Sequence, residues 1–144
     1  MKNTLRQATR NDIAGIFKVR YAVSENRLPA GILDDEDVRR EIEDTGRGWV
    51  IEADGNILAF AIGNKESGNI WALFVAPEAE GNGYGRRLHD HMLAWLWSQE
   101  LQKLWLTTGP GTRAQYFYEM LGWQKIKLTE KGEIQFEMDR SSIK

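Results

Sequence analysis

A chain of 144 residues, 42% apolar and 28% charged, can bury one core and stay in solution, so a disordered or fibrous protein is excluded and a single domain over residues 1–144 is expected. Its 19 basic and 21 acidic side chains leave a net charge of −2, which argues against a nucleic-acid partner, since phosphate binding needs a basic face. The lack of cysteine excludes disulfide scaffolds, thiolate zinc sites and cysteine nucleophiles together, and fits a reducing compartment.

The N-terminus, Met1-Lys2-Asn3-Thr4-Leu5-Arg6, has no apolar signal core, and the longest apolar run, residues 70–76, is far short of the ~20 residues that span a bilayer. A cytoplasmic protein with no membrane partner is expected. Residues 5–8 read as an opening strand, and Thr9-Arg10-Asn11-Asp12 offers N-cap side chains to a helix with Ile13, Ile16, Phe17 and Tyr21 at helical spacing. Pro29 and Gly31 break that helix within residues 26–33.

A second helix is expected to start at the acidic stretch from Asp34 and to end near Thr45-Gly46, because carboxylates in a first turn favour the positive end of the helix dipole. Seven acids against two bases over residues 34–44 give a local −5 and leave +3 elsewhere. Residues 49–53 and 57–63 read as strands joined by Asp54-Gly55-Asn56, since Asp-Gly accepts the positive φ of a tight hairpin. Residues 69–75 extend the sheet as far as Pro77, which lacks the N–H a central strand must donate.

Leu88, Met92, Leu93, Trp95 and Leu96 mark an amphipathic helix from Gly85 to Gln99, and residues 104–107 form the next strand. Thr112-Arg113-Ala114-Gln115 has the form of a capping box, opening a short helix that Gly122 ends with a left-handed cap. Residues 124–128 and 133–139 alternate around Lys131-Gly132 as a closing hairpin. The order β-α-α-β-β-β-α-β-α-β-β defines an α/β (α+β) chain: a mixed, mainly antiparallel sheet of six to seven strands flanked by about four helices.

The most informative stretch is the strand Ile70-Trp71-Ala72-Leu73-Phe74-Val75, running through Ala76-Pro77-Glu78-Ala79 into Glu80-Gly81-Asn82-Gly83-Tyr84-Gly85-Arg86-Arg87. Three glycines at alternate positions lead directly into a helix, exposing consecutive backbone N–H groups at a positive dipole end, with Arg86 and Arg87 adding charge. The residues alone leave two readings open: an anion cradle, or a tight turn in which glycine serves positive φ and close packing. A dinucleotide fingerprint is excluded because Arg86 stands where G-x-G-x-x-G requires glycine.

Residues 5–138 resemble the GNAT N-acetyltransferase superfamily, whose signature Q/R-x-x-G-x-G/A lies between the fourth strand and third helix and reads here Glu80-Gly81-Asn82-Gly83-Tyr84-Gly85. A second family signature, an aromatic-Tyr-Glu shortly before Leu-Gly-aromatic, stands as Phe117-Tyr118-Glu119-Met120-Leu121-Gly122-Trp123. The resemblance implies an enzyme using acetyl-CoA as cosubstrate, with no metal, to acetylate an amine of a small molecule, peptide or protein, as a monomer or homodimer. It implies that Leu73, Phe74 and Val75 run beside the pantetheine arm, and that the backbone of Gly81, Asn82, Gly83, Tyr84, Gly85 and Arg86 holds the pyrophosphate. It further implies direct transfer without a protein nucleophile, with N–H groups near Phe74 and Val75 stabilising the oxyanion and Tyr118 as general acid.

Three positions depart from the family pattern. Glu80 replaces the usual Arg or Gln and is expected to face solvent, with Arg86 and Arg87 supplying the charge. Thr107 stands where some members carry a glutamate base, and Gly111 where many carry a cofactor-contacting asparagine. The base therefore stays open: Glu41, Glu43 and Glu78 could each deprotonate an amine, directly or through water, but each reads more readily as a solvated acid, and none is assigned. Tyr118 likewise reads as an aromatic packed with Ala114, Phe117 and Leu121.

His89 and His91 flank Asp90, but residues two apart on a helix diverge, so surface histidines are expected. Trp95, Trp97 and Trp105 read as packing residues. Trp49, Trp71 and Trp123 read as core, with an acceptor cleft as the other reading. If Asp34, Asp35, Glu36, Asp37 and Glu41 rim that cleft, the acceptor is a cationic amine. The rival functional readings are a noncatalytic acyl-CoA-binding regulatory module and a loop that is structural only.

Overall fold

Two left-handed residues in succession, Asp54 (φ 52°) and Gly55 (φ 79°), close the hairpin on which the first sheet is built. In this computed structural model, which describes residues 3–23 and 33–142, they join β2 (Gly46–Ala53) to β3 (Asn56–Asn64). β1 (Thr4–Gln7) pairs with the far edge of β2, and β4 (Ile70–Val75) pairs with β3, all antiparallel in the order β1-β2-β3-β4. β5 (Lys103–Thr108), β6 (Gln124–Leu128) and β7 (Ile134–Asp139) form a second antiparallel sheet in the order β5-β7-β6.

The seven strands thus fall into sheets of four and three, where the sequence predicts one. Among the described residues the two meet at a parallel bridge between Asn69 and Trp105, reinforced by Asn69 Nδ2 donating to the Trp105 carbonyl at 3.3 Å and Trp105 N–H donating to the Gly68 carbonyl at 3.0 Å. Beyond that point no strand among the described residues pairs with the outer edge of β4. Pairing of this kind is set by non-local contacts, which strand periodicity does not encode.

Alternation along β2 and β3 explains the layering. Trp49, Ile51, Ala59 and Ala61 point to α3 (Tyr84–Trp97), where Leu88, Met92 and Leu96 meet them. Val50, Phe60 and Ile62 point the other way, to Ile13, Ile16 and Val19 of α1 (Ile13–Ala22) and Val38 and Ile42 of α2 (Asp35–Glu43). Both faces of the central strands are buried, so they read as continuous apolar runs, and each fully buried Leu, Ile or Phe contributes roughly 1.5–3 kcal/mol. At Gly63 a Cβ would lie 2.9 Å from Leu96 Cδ1, so glycine there lets α3 rest on β3.

The caps follow from local side chains. Asp34 Oδ1 accepts from Asp37 N–H at 2.9 Å and Asp37 Oδ2 from Asp34 N–H at 3.0 Å, which opens α2 inside the acidic stretch. At α4 (Arg113–Met120) Thr112 Oγ1 accepts from Gln115 N–H at 3.2 Å, but Gln115 Oε1 takes the Gly111 N–H at 2.7 Å instead of completing the expected box. Gly122 (φ 90°) ends α4 as expected. The break expected over residues 26–33 lies outside the described residues apart from Leu33, and no helix among the described residues is long and apolar enough to cross a membrane.

Candidate active site

Between β4 and α3 the chain makes a 3-10 turn over Pro77–Ala79 and then two left-handed glycines, Gly81 (φ 83°) and Gly83 (φ 77°). A Cβ at either would meet nothing within 4 Å, so the backbone conformation and not crowding selects glycine. Gly83 is the N-cap of α3, it offers no capping side chain, and α3 has no acid in its first turn. The unpaired N–H groups and positive dipole of this helix end are therefore not answered by the helix's own side chains, a donor set suited to a phosphate. Asn82 instead folds back on the loop, its Nδ2 donating to the Ala79 carbonyl at 2.9 Å.

A cavity of ≈ 430 Å³ opens between this loop, the outer edge of β4 and α4. Leu73, Phe74 and Val75 form one wall, Gly81, Gly83, Tyr84, Gly85 and Arg86 one end, and Ala114, Phe117 and Tyr118 the opposite side. Of the residues expected along the pantetheine arm and the pyrophosphate, Asn82 alone does not line it. The β4 register corrects one expectation: Ala76 N–H donates to the Leu58 carbonyl at 2.8 Å, and Phe74 pairs with Phe60. Because amides alternate along a strand, the Phe74 N–H faces β3, whereas those of Leu73 and Val75 face away from it.

Tyr118 belongs to the core and to the cavity at once. Its ring packs against Phe117 at 5.2 Å, Trp123 at 5.7 Å and Phe136 at 6.2 Å between centroids. No hydrogen bond among the described residues holds its hydroxyl, and burial pushes the phenol well above the usual range, so it stays protonated at neutral pH.

Glu80 does not turn out to solvent. It lines the cavity and pairs with Arg113 from the first turn of α4, so a cation far along the chain neutralises it. Arg113 also lines the cavity and is a residue that the motif reading passed over; only its place one residue after the Thr112 cap hinted at it. Arg86 lines the cavity with its Nε 3.1 Å from Asp90 Oδ2, while Arg87 reaches Asn3 Oδ1 at 2.8 Å.

His89 is a second correction: it is 4% exposed, with Trp123 Nε1 donating to its Nε2 at 3.0 Å. Its ring continues the apolar face of Leu88, Met92, Leu93 and Leu96, a placement that spacing from Met92 and Leu93 could have revealed. His91 is exposed, as expected. Trp49 and Trp123 are buried and Trp71 is half-buried, and none of the three lines the cavity.

None of the base candidates lines the cavity either. Glu41 accepts from Asn64 Nδ2 at 3.1 Å, Glu43 pairs with Arg10 and Arg39, and Glu78 is exposed. Four of the acids around α2 pair with its arginines, Glu36, Glu43 and Asp44 with Arg39 and Asp37 with Arg40. Among the described residues no group of three His, Cys, Asp or Glu could hold a metal ion.

A helix end without a capping acid, an apolar strand edge and a buried tyrosine thus open into one cavity on an α/β scaffold. The sequence profile of the Acetyltransferase (GNAT) family matches residues 10–123, and the chain belongs to that family. Its activity is N-acetyl transfer from acetyl-CoA to an amine, and a noncatalytic binding module is not favoured.

Solved structures share the fold at low identity. A GNAT-family acetyltransferase of Staphylococcus aureus superposes with a TM-score of 0.83 at 15% identity, over 96% of this chain and 99% of that one. The PaiA N-acetyltransferase of Thermoplasma acidophilum, solved in complex with coenzyme A, gives 0.79 at 15% identity over 96% and 99%. The ribosomal-protein-alanine N-acetyltransferase of Brucella melitensis gives 0.77 at 19% over 94% and 99%. A search of curated proteins gave no match.

Proposed function

We propose that residues 1–144 act as one catalytic domain in which the cavity between β4, the glycine loop and α4 receives acetyl-CoA, and Tyr118 serves as general acid. One observation carries this reading: the N-terminus of α3, without a capping side chain, and Tyr118, its hydroxyl without a hydrogen bond among the described residues, line the same cavity. Acetyl-CoA supplies the activated acetyl group and a thiolate leaving group. The N–H groups of the loop and of the first turn of α3 bind its pyrophosphate, with Arg86 adding charge. The apolar edge of Leu73, Phe74 and Val75 lies along the pantetheine arm.

The Val75 N–H, directed away from β3, stabilises the oxyanion that develops as the amine attacks, a role worth about 3 kcal/mol for a preorganised donor. Tyr118 then protonates the sulfur as the C–S bond breaks, and the proton lost from the attacking nitrogen, passed through solvent, restores the phenol. Burial raises the phenol, but it raises a desolvated thiolate in the same cavity in the same direction, so the transfer stays feasible. The acceptor class is a primary or secondary amine, of a small molecule or of a peptide terminus. The acidic residues near α2 give little reason to restrict it to cations, because none of them lines the cavity.

Exchanging Tyr118 for Phe tests the assignment. A fall in kcat with an unchanged Kd for coenzyme A supports it, and unchanged kcat overturns it.

A further inference from the structure

His89 joins the buried aromatic cluster to the cavity. Trp123 Nε1 lies 3.0 Å from His89 Nε2, and His89 Nδ1 lies 2.9 Å from Asp90 Oδ1. An indole N–H can only donate, so Nε2 must accept, the ring proton sits on Nδ1, and that N–H is donated to Asp90. The Asp90 carboxylate is then held from two sides, by His89 and by Arg86 Nε at 3.1 Å one turn earlier on α3.

We infer that His89, acting through Asp90, is a positioning residue that fixes the Arg86 guanidinium at the glycine loop for the phosphates of acetyl-CoA. This rests on reading the loop as the pyrophosphate site. The Arg86 side chain is 62% exposed, and an exposed i,i+4 pair does little by itself to hold a long side chain in one place. A carboxylate anchored by a buried imidazole of fixed tautomer is a far less mobile partner. The bonds to Asp90 use Nε, while the terminal nitrogens form the planar fork that matches a phosphate.

Three variants of the full chain separate these roles. His89→Asn keeps a donor near the Nδ1 position and loses the acceptor for Trp123. His89→Gln does the reverse. Asp90→Ala alters an exposed side chain and removes the anchor for Arg86 while leaving the bond between Trp123 and His89 in place. Affinity is read by titration calorimetry with coenzyme A and with pantetheine, which has no phosphates.

The inference expects His89→Gln and Asp90→Ala to bind coenzyme A about three- to tenfold more weakly with pantetheine unaffected, and His89→Asn to stay near wild type. Asp90→Ala binding coenzyme A like wild type overturns it whatever the histidine variants do, as does His89→Gln binding more tightly than His89→Asn. A wild-type protein that does not bind coenzyme A overturns the reading of the loop, and this inference with it. Binding by wild type without the pattern above overturns the inference alone.

Discussion

Glu80 and Arg113 pair across the cavity and tie the glycine loop to the first turn of α4. The carboxylate occupies the motif position where the family carries Arg or Gln, so its charge would oppose a pyrophosphate unless something balances it. Arg113→Gln removes that balance and is expected to weaken coenzyme A binding about tenfold, within the range of a lost charge-assisted contact. Glu80→Gln is expected to tighten binding. Calorimetry at low and high salt checks both, and the gap between the variants should narrow as salt rises.

Gly83→Ala places a side chain at φ 77°, where an L-residue costs roughly 1–2 kcal/mol, although no neighbour is in the way. Stability in urea should fall by about that amount, and coenzyme A affinity should fall with it as the loop amides shift. Gly85→Ala meets Phe117 and Val75 at 3.6 Å, an ordinary contact, and should leave stability nearly unchanged. Equal effects from the two variants would remove the argument that backbone conformation shapes the loop.

Burial holds His89 below the ordinary imidazole range, although its bond to Asp90 pulls the other way. The unfolded chain therefore takes up this proton at a higher pH than the folded one. The contribution is intact above the unfolded value near ~6.5 and is lost as pH falls from there toward the folded value. Protonation would also put an N–H on Nε2 against the Trp123 N–H. Urea midpoints should drop between about pH 7.5 and about pH 5 in wild type, and the drop should be smaller in His89→Gln. Parallel curves for the two proteins would assign the pH dependence to other groups.

Much of the site was legible because its signals are local. The Asp54-Gly55 turn, the glycines at 81 and 83 and the Thr112 cap each state a backbone conformation within a few residues. The wall of Leu73, Phe74 and Val75 was implied by the family resemblance, which the strand and the glycine loop together carry. What was not legible depends on distant partners. The Glu80–Arg113 pair and the split into two sheets at Asn69 and Trp105 join segments far apart in the chain. His89 was misread because its polarity outweighed its position on the buried face of α3, where Trp123 supplies the hydrogen bond that makes burial tolerable. The direction of the Phe74 amide depends on which edge of β4 faces β3, and only the register settles that.

Amine-dependent release of free thiol from acetyl-CoA tests the central claim most directly. The panel should span peptide N-terminal amines, lysine, polyamines, aminoglycosides and acidic amino acids, with coenzyme A binding measured in parallel. The account predicts thiol release with at least one amine, falling about a hundredfold or more in Tyr118→Phe while coenzyme A affinity is retained. Coenzyme A binding to wild type without amine-dependent release from any member of the panel would contradict it.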